Sequence, residues 1–171
     1  SLKREYDGQM RDRFYDRVIF PVHNVSGRIV AFGGRTLRTD KKVAKYQNSP
    51  ESEIYNKRRE VYGLFFAKKA IQQEDYAILV EGYADVISMH QAGVENVVAS
   101  SGTSLTEEQI RLISRFTNNI TLMFDGDAAG VKAALRGVDL ILKEGMNVRI
   151  VLLPEEHDPD TFARANSSDA L

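Results

Sequence analysis

The sequence predicts an α/β fold: a parallel sheet flanked by helices, preceded by part of a small basic α+β subdomain. Three observations predict it. Residues 73–171 alternate short apolar strands with helical stretches, residues 1–72 contain a hairpin-like pair of β-rich runs, and charge divides between the two segments. Residues 1–73 carry 16 Lys/Arg against 8 Asp/Glu, a net of +8, whereas residues 74–171 carry 7 against 16, a net of −9. Such asymmetry points to a nucleic-acid surface on one part and a cation-binding surface on the other, or to two solvated faces of opposite sign.

In the first segment, Arg17 to Val22 is a short β-rich run, Asn24 to Gly27 supply turn chemistry, and Arg28 to Phe32 form a second strand ahead of Gly33-Gly34. Asp40 to Ser49 reads as a polar surface loop. Ser52 to Lys69 is helical in composition, interrupted by Gly63.

In the second segment, Tyr76 to Val80 is an apolar strand, followed by a helix over Tyr83 to Gln91 closed by Gly93. Val94 to Ala99 is the next strand. Thr106 begins a helix reaching about Phe116, and Gln109 three residues on completes a capping box. Ile120 to Phe124 is a third strand. Ala128 to Lys143 is a long helix with Gly145 just past it, Val148 to Leu153 a fourth strand, and Asp160 opens a last helix. Strands separated by helices of this length make βαβ units and a parallel sheet.

The sequence has 171 residues and 43% hydrophobic residues, enough to bury a core. It has no cysteine, which excludes disulfides and Cys-ligated zinc or iron–sulfur centres within it. No apolar run approaches the roughly 20 residues that span a bilayer, and the first residues have no signal-peptide character. These features suit a soluble, intracellular protein without membrane contact. Ser1 and the end at Leu171 suggest a fragment of a longer chain.

In open α/β sheets, ligands bind outside the carboxyl ends of the strands. Glu81 follows the first strand, Asp125 and Asp127 follow the third, and Asp158 and Asp160 follow the fourth after a short turn. Five carboxylates therefore converge on one edge. Like charges in close company resist ionisation, and a divalent cation offsets that cost. Oxygen ligands without His or Cys favour Mg²⁺ or Mn²⁺, and such ions suit phosphoryl transfer. A lone Asp-x-Asp at a strand end is more often a helix cap, and Asp127 and Asp160 are each placed to cap the helix behind them. The coincidence of three acidic motifs at one edge favours the metal reading. Asp85, four residues past Glu81, faces the same site or favours its helix dipole. His23, His90 and His157 are too scattered for a metal cluster.

Glu81-Gly82 followed by Asp125-Gly126-Asp127 resembles the Toprim domain, which primases share with topoisomerases, some nucleases and repair proteins. The Glu81 to Ile87 block is similar to EGYMDVI of DnaG-type bacterial primases, and Ala99 to Ser104 to their ASLGTA-like turn. Phe124 to Gly130 resembles their (F/Y)DGDxAG block, and Leu153-Pro154 with Asp158-Pro159-Asp160 their LPxGxDPD block. Upstream, Arg17 to Val22 with Gly27-Arg28, Phe32 to Arg35, and Lys45 to Glu51 resemble RVMFPI…GR, FGGR and KYLNSPE. Lys57 and Tyr62-Gly63-Leu64 follow at the family's spacing. The resemblance covers nearly the whole chain. Departures are Ser101 in place of Leu, Ala128 in place of a basic residue, and Glu155-Glu156-His157 where the LPxGxDPD block has its Gly.

The resemblance implies a Toprim-type sheet over 73–171 and the C-terminal part of a basic N-terminal subdomain over 1–72. It implies a DNA primase, a DNA-directed RNA polymerase joining ribonucleoside triphosphates on single-stranded DNA into short RNA primers, with an RNA–DNA hybrid as product. Glu81, Asp125 and Asp127 would be catalytic. Glu81, Asp85, Asp125, Asp127, Asp158 and Asp160 would surround Mg²⁺ or Mn²⁺, with no zinc in this stretch. Arg35, Lys45, Tyr46, Asn48 and Lys57 would line the nucleotide and template groove, with Tyr46 able to stack on a base. Arg58, Arg59, Lys68 and Lys69 read as solvated helix face.

Full-length members add a zinc-binding domain and a C-terminal domain that binds the replicative helicase, acting in the cytoplasm at the bacterial primosome. Neither domain is in this sequence, so the stretch alone is expected to bind metal and nucleotide but prime poorly. The rival Toprim readings are a topoisomerase or nuclease, and a non-catalytic recombination-mediator module. The KYQNSPE-like block favours primase over both.

Overall fold

Nine strands and five helices carry the backbone of the computed structural model, which describes residues 3–6, 8–39, 43–100, 102, 104–125, 127–154 and 157–165. The chain divides into two compact units, Ser1–Asn56 and Lys57–Leu171.

The first unit opens with an antiparallel pair absent from the sequence reading, β1 (Lys3–Tyr6) and β2 (Gln9–Asp12). The expected hairpin is β3 (Arg17–His23) with β4 (Ile29–Thr36), antiparallel with a register shift at Val22/His23. Its turn is organised by Asn24, whose Oδ1 accepts from the Ser26 and Arg28 amides at 3.1 and 3.0 Å. Phe14, Phe20, Val22, Ala31 and Tyr55 are buried in this unit.

Two sequence expectations are corrected. The segment read as a loop over 40–49 contributes β5 (Tyr46–Asn48), antiparallel to β4 and forming an edge of the sheet. Arg17 holds this segment in place, its guanidinium donating to the carbonyls of Gly34, Lys45 and Ala44 at 3.2, 3.3 and 2.9 Å. The helical reading of 52–69 also fails in its first half. Residues 52–63 are turns and short bridges, and the helix, α1, runs over Leu64–Glu74. Gly63 explains the late start. It sits at φ 83° immediately before α1, and a Cβ there would approach Val86 Cγ1 to 3.0 Å and the Val97 carbonyl to 3.2 Å.

The second unit follows the predicted alternation. After α1 come β6 (Ala77–Val80), α2 (Tyr83–Gln91), β7 (Val97–Ala99), α3 (Glu107–Ile113) and β8 (Asn119–Phe124). Then follow α4 (Ala128–Lys143), β9 (Asn147–Leu152) and α5 (Pro159–Ala165). The four strands are parallel in the order β7-β6-β8-β9. The chain moves one way from β6 to β7, then crosses back past β6 to β8 and onward to β9. Right-handed crossovers therefore send helices to opposite faces, and α2 packs with α5 while α3 packs with α4. β6 and β7 are buried throughout, which is why they read as unbroken apolar runs rather than alternating ones.

The compact units meet at 56/57, whereas the alternation of strands and helices that marks 72/73 in the sequence begins after α1. Residues 57–62 are tied to the parallel sheet by groups distant in sequence. Tyr62 and Ala99 exchange backbone hydrogen bonds at 2.9 and 3.0 Å. Thr106 Oγ1 donates to the Arg58 carbonyl at 2.6 Å. The fully buried Gln109 donates through Nε2 to the carbonyls of Lys57 (3.2 Å), Glu60 (2.8 Å) and Ser100 (3.4 Å). Its Oε1 also accepts the Thr106 amide at 3.2 Å, completing the predicted capping box. One side chain thus caps α3 and straps down the entry segment.

Gln109→Ala strands these buried groups, so a loss of about 2–4 kcal/mol in unfolding free energy is expected by urea denaturation. A change under about 0.5 kcal/mol would show that the strap is not structural.

Candidate active site

The reversal of strand order lies between β6 and β8, so the carboxyl ends of these two strands form the topological switch point of the sheet. Glu81 leaves β6 and Asp125 leaves β8 at that point. The following helices bring further carboxylates: Asp85 in the first turn of α2, Asp127 before α4, and Asp158 and Asp160 around the start of α5.

Two of these carboxyls are shifted by burial and by the charges of others in the set. The Glu81 carboxyl is raised above the ordinary glutamate range, first by burial and then by the charges of Asp125, Asp85 and Asp127. The Asp85 carboxyl is pushed up to about 6, first by burial and then by the charges of Asp158, Asp125 and Asp160, against the lowering effect of the Gly82 amide. Asp85 therefore couples the Glu81 side of the cluster to the α5 side.

Several of these oxygens are already engaged by helix N-termini. Asp127 Oδ1 accepts the Gly130 amide at 2.7 Å, so the capping reading of Asp127 is correct. In α5 the cap is Asp158 rather than Asp160: its Oδ1 accepts from the Thr161 amide and hydroxyl, both at 2.7 Å. Asp85 Oδ2 accepts the Gly82 amide at 2.9 Å, so it both serves its helix and faces the cluster. Asp160 is held by the Ser88 hydroxyl and by Arg164 Nε, the latter at 2.7 Å. Among the described residues, no three acidic or histidine side chains close tightly enough to hold an ion together. The arrangement is a coupled set of carboxylates, each steered by a cap or clamp.

Gly130 matters for the same geometry. A Cβ at this position would lie 2.2 Å from the Asp125 carbonyl oxygen, so only glycine lets the first turn of α4 sit against the Asp125 backbone. A cavity of 370 Å³ opens beside Glu81, lined by Ser100, Leu105, Phe124, Arg136 and Leu140 among others. Ser101, Thr103, Gly126, Glu155 and Glu156, which the sequence places in the surrounding turns, lie outside the described residues.

The basic candidates divide between the units. Arg35 on β4 pairs in register with Tyr46 on β5, and Gly33 with Asn48. The Arg35 guanidinium and the Lys45 ammonium each lie 5.9 Å from the centre of the Tyr46 ring. The exposed Tyr46 ring therefore sits on a sheet edge with two cations beside it, a surface chemically suited to nucleic acid. Lys57 belongs to the second unit, where its carbonyl accepts from Gln109. Arg58 and Arg59 lie in turns rather than on a helix, whereas Lys68 is on α1 with its ammonium 4.5 Å from the Phe65 ring centre. Sequence reasoning missed Ser88 and Arg164. Nothing in their spacing to Asp160 marks Ser88, although Arg164 at i+4 is a legible partner.

Comparison with known proteins now decides the family. Residues 78–163 match the family model described as Toprim-like, and residues 1–68 match that of the DNA primase catalytic core, N-terminal domain. A DNA primase of Halalkalibacterium halodurans is 51% identical over 161 residues, 94% of this chain. The chain belongs to the DnaG-type DNA primases. It corresponds to a part of their catalytic core that includes the Toprim domain, and spans 26% of the length of the Halalkalibacterium relative. The crystal structure of the Aquifex aeolicus primase, with its zinc-binding and RNA polymerase domains, aligns with a TM-score of 0.93 at 40% identity, covering 99% of this chain and 42% of that one. A DnaG primase catalytic domain bound to ssDNA aligns with a TM-score of 0.89 at 40% identity, covering 99% and 55%. The primase-core N-terminal match runs to residue 68, beyond the first compact unit.

The raised Asp85 carboxyl has a consequence for stability. Because its folded value of about 6 lies above the ordinary 3.8, the folded chain holds this proton more tightly than the unfolded one. Stability is therefore lost as pH rises from about 4 to about 6. Without added metal, Asp85→Asn should be more stable than the parent at pH 7, by about 1–3 kcal/mol, with the difference vanishing near pH 4. Thermal unfolding at the two pH values measures it. A variant less stable at pH 7 would mean that burial and neighbouring charge do not disfavour the carboxylate.

Proposed function

We propose that this chain is the metal-binding catalytic part of a DNA primase, performing nucleotidyl transfer to make short RNA primers on single-stranded DNA. The observation that carries the reading is the electrostatic coupling of Glu81, Asp85, Asp125 and Asp127 at the β6/β8 switch point, in a chain of the primase family. A donor set of carboxylates that raise one another's proton affinity fits a hard divalent cation, Mg²⁺ or Mn²⁺. Because no three of the described acidic side chains stand close enough to grip an ion by themselves, Asp125 and Asp127 would hold it first, with Asp85, Asp158 and Asp160 around them and water and substrate phosphate completing the shell. Bound there, the ion supplies charge stabilisation to the attacking and leaving oxygens of an in-line displacement.

The residues themselves define the rest. The 3′-hydroxyl of the growing strand forms a bond to the α-phosphorus of the incoming nucleotide, and the bond to the β-phosphate oxygen breaks to release pyrophosphate. Glu81, whose carboxyl is already biased towards holding a proton, is the group that accepts the hydroxyl proton. Asp125, fixed against Gly130, holds its position at the switch point while the charge moves.

Phosphates approaching so many carboxylates need compensating positive charge, and template binding is dominated by phosphate contacts. Arg35 and Lys45 bring that charge on the first unit, with Tyr46 offering a stacking face and Asn48 a hydrogen-bonding amide; Lys57 adds a cation on the second. The partners are single-stranded DNA, ribonucleoside triphosphates and the RNA–DNA hybrid product. The replicative helicase is engaged through a further domain, in the bacterial cytoplasm at the replication fork. Among the described residues, no helix is long and apolar enough to cross a membrane.

The test is template-dependent RNA synthesis by the full-length protein, supplied with labelled ribonucleotides and Mg²⁺ or Mn²⁺. Short RNA products, reduced about 100-fold or more in Asp125→Ala, are expected. Nicked or relaxed plasmid in place of RNA would overturn the assignment.

A further inference from the structure

Asp160 takes side-chain partners from two different helices. Ser88, on α2, donates its hydroxyl to Asp160 Oδ1, and Arg164, one turn along α5, donates Nε to the same oxygen at 2.7 Å. α2 and α5 pack against each other, so this contact lies in a helix–helix seam. Ser88 sits one turn after Asp85, so the seam joins the two carboxylate-bearing helices of the site.

The two partners differ in kind. Ser88 is 6% exposed. A helical serine commonly turns its hydroxyl back to the carbonyl four residues earlier, whereas this one points across the seam. The Arg164 side chain is 68% exposed, so its i,i+4 pair with Asp160 is screened by water and flexible. Direction is therefore set by Ser88 and local charge by Arg164. Both donors engage the same oxygen, so the carboxylate is held from α2 and from α5 at once.

We propose that Ser88 and Arg164 are positioning residues of the acidic site. They act through Asp160, orienting its carboxylate and keeping the start of α5, with Asp158, registered on α2 beside Asp85. The inference rests on the reading of this site as a divalent-cation site. Groups that orient a ligating carboxylate in this way typically contribute 10- to 100-fold to metal affinity.

Mn²⁺ binding to the 171-residue chain, followed by electron paramagnetic resonance, tests this without recourse to activity. Ser88→Ala should weaken Mn²⁺ binding by about tenfold, and alanine, as the best helix former, leaves α2 intact. Arg164→Gln should weaken it by about two- to threefold, with Arg164→Lys restoring part of the loss. The decisive comparison is a double-mutant cycle. In an Asp160→Asn background, Ser88→Ala should change Mn²⁺ affinity by less than about twofold, whereas a merely structural serine would add its full effect there. A parent chain that binds Mn²⁺ while Ser88→Ala binds it equally, or a Ser88 effect that persists undiminished in Asp160→Asn, overturns the inference and leaves the metal reading standing. A parent chain that binds no Mn²⁺ overturns both.

Discussion

Repulsion between carboxylates at the switch point is the constraint around which the second unit is organised. Strand order places Glu81 and Asp125 at adjoining strand ends. The raised proton affinities of Glu81 and Asp85 measure what the fold tolerates there. Burial raises both first, and neighbouring negative charge adds to it. A sheet carrying such a cluster needs strong compensation in its core. The fully buried Leu79, Val97, Val98, Ile110, Ile113, Leu122 and Ile141 around the parallel strands supply it.

The cluster is also tempered locally. Asp127 and Asp158 each spend an oxygen on a helix N-terminus, and Asp85 accepts the amide that opens α2. The partial positive charge of a helix N-terminus favours an anion there. Capping and cation binding are therefore not competing explanations of the same aspartates. A carboxylate held by one oxygen at a helix start is oriented, and orientation is what a ligand needs. For Asp127 the cap is observed, and it leaves the second carboxylate oxygen out of the capping bond. For α5 the sequence reading named the wrong aspartate, because Asp158 takes the cap and Asp160 the seam.

Legibility in the sequence followed the range of the interactions. α4 was read from Ala128 to Lys143, as observed, because a capping aspartate, an unbroken run of helix formers and Gly145 are all local signals. The switch-point acids were legible because strand ends are local and the βαβ rule does the rest. β5 was missed because Tyr46–Asn48 is short and polar, and its strand character comes from β4 and from the distant Arg17. Ser52–Gly63 was misread as helical because composition does not reveal that Gly63 must take a positive φ against Val86 and Val97. Ser88 was invisible for the same reason, since its partner lies 72 residues away.

The first unit holds an antiparallel sheet, β3-β4-β5, whose edge strand presents Tyr46 beside Arg35 and Lys45, and the second holds a parallel sheet whose carboxyl edge concentrates negative charge. Each surface is understandable by its own physics, and the proposed reaction needs both kinds. The central claim concerns the second, and it is tested most directly by anomalous scattering from crystals soaked in Mn²⁺. The account predicts a peak within about 2–2.6 Å of carboxylate oxygens of Asp125 and Asp127. No peak there at saturating Mn²⁺, or peaks only at other surfaces, would contradict it.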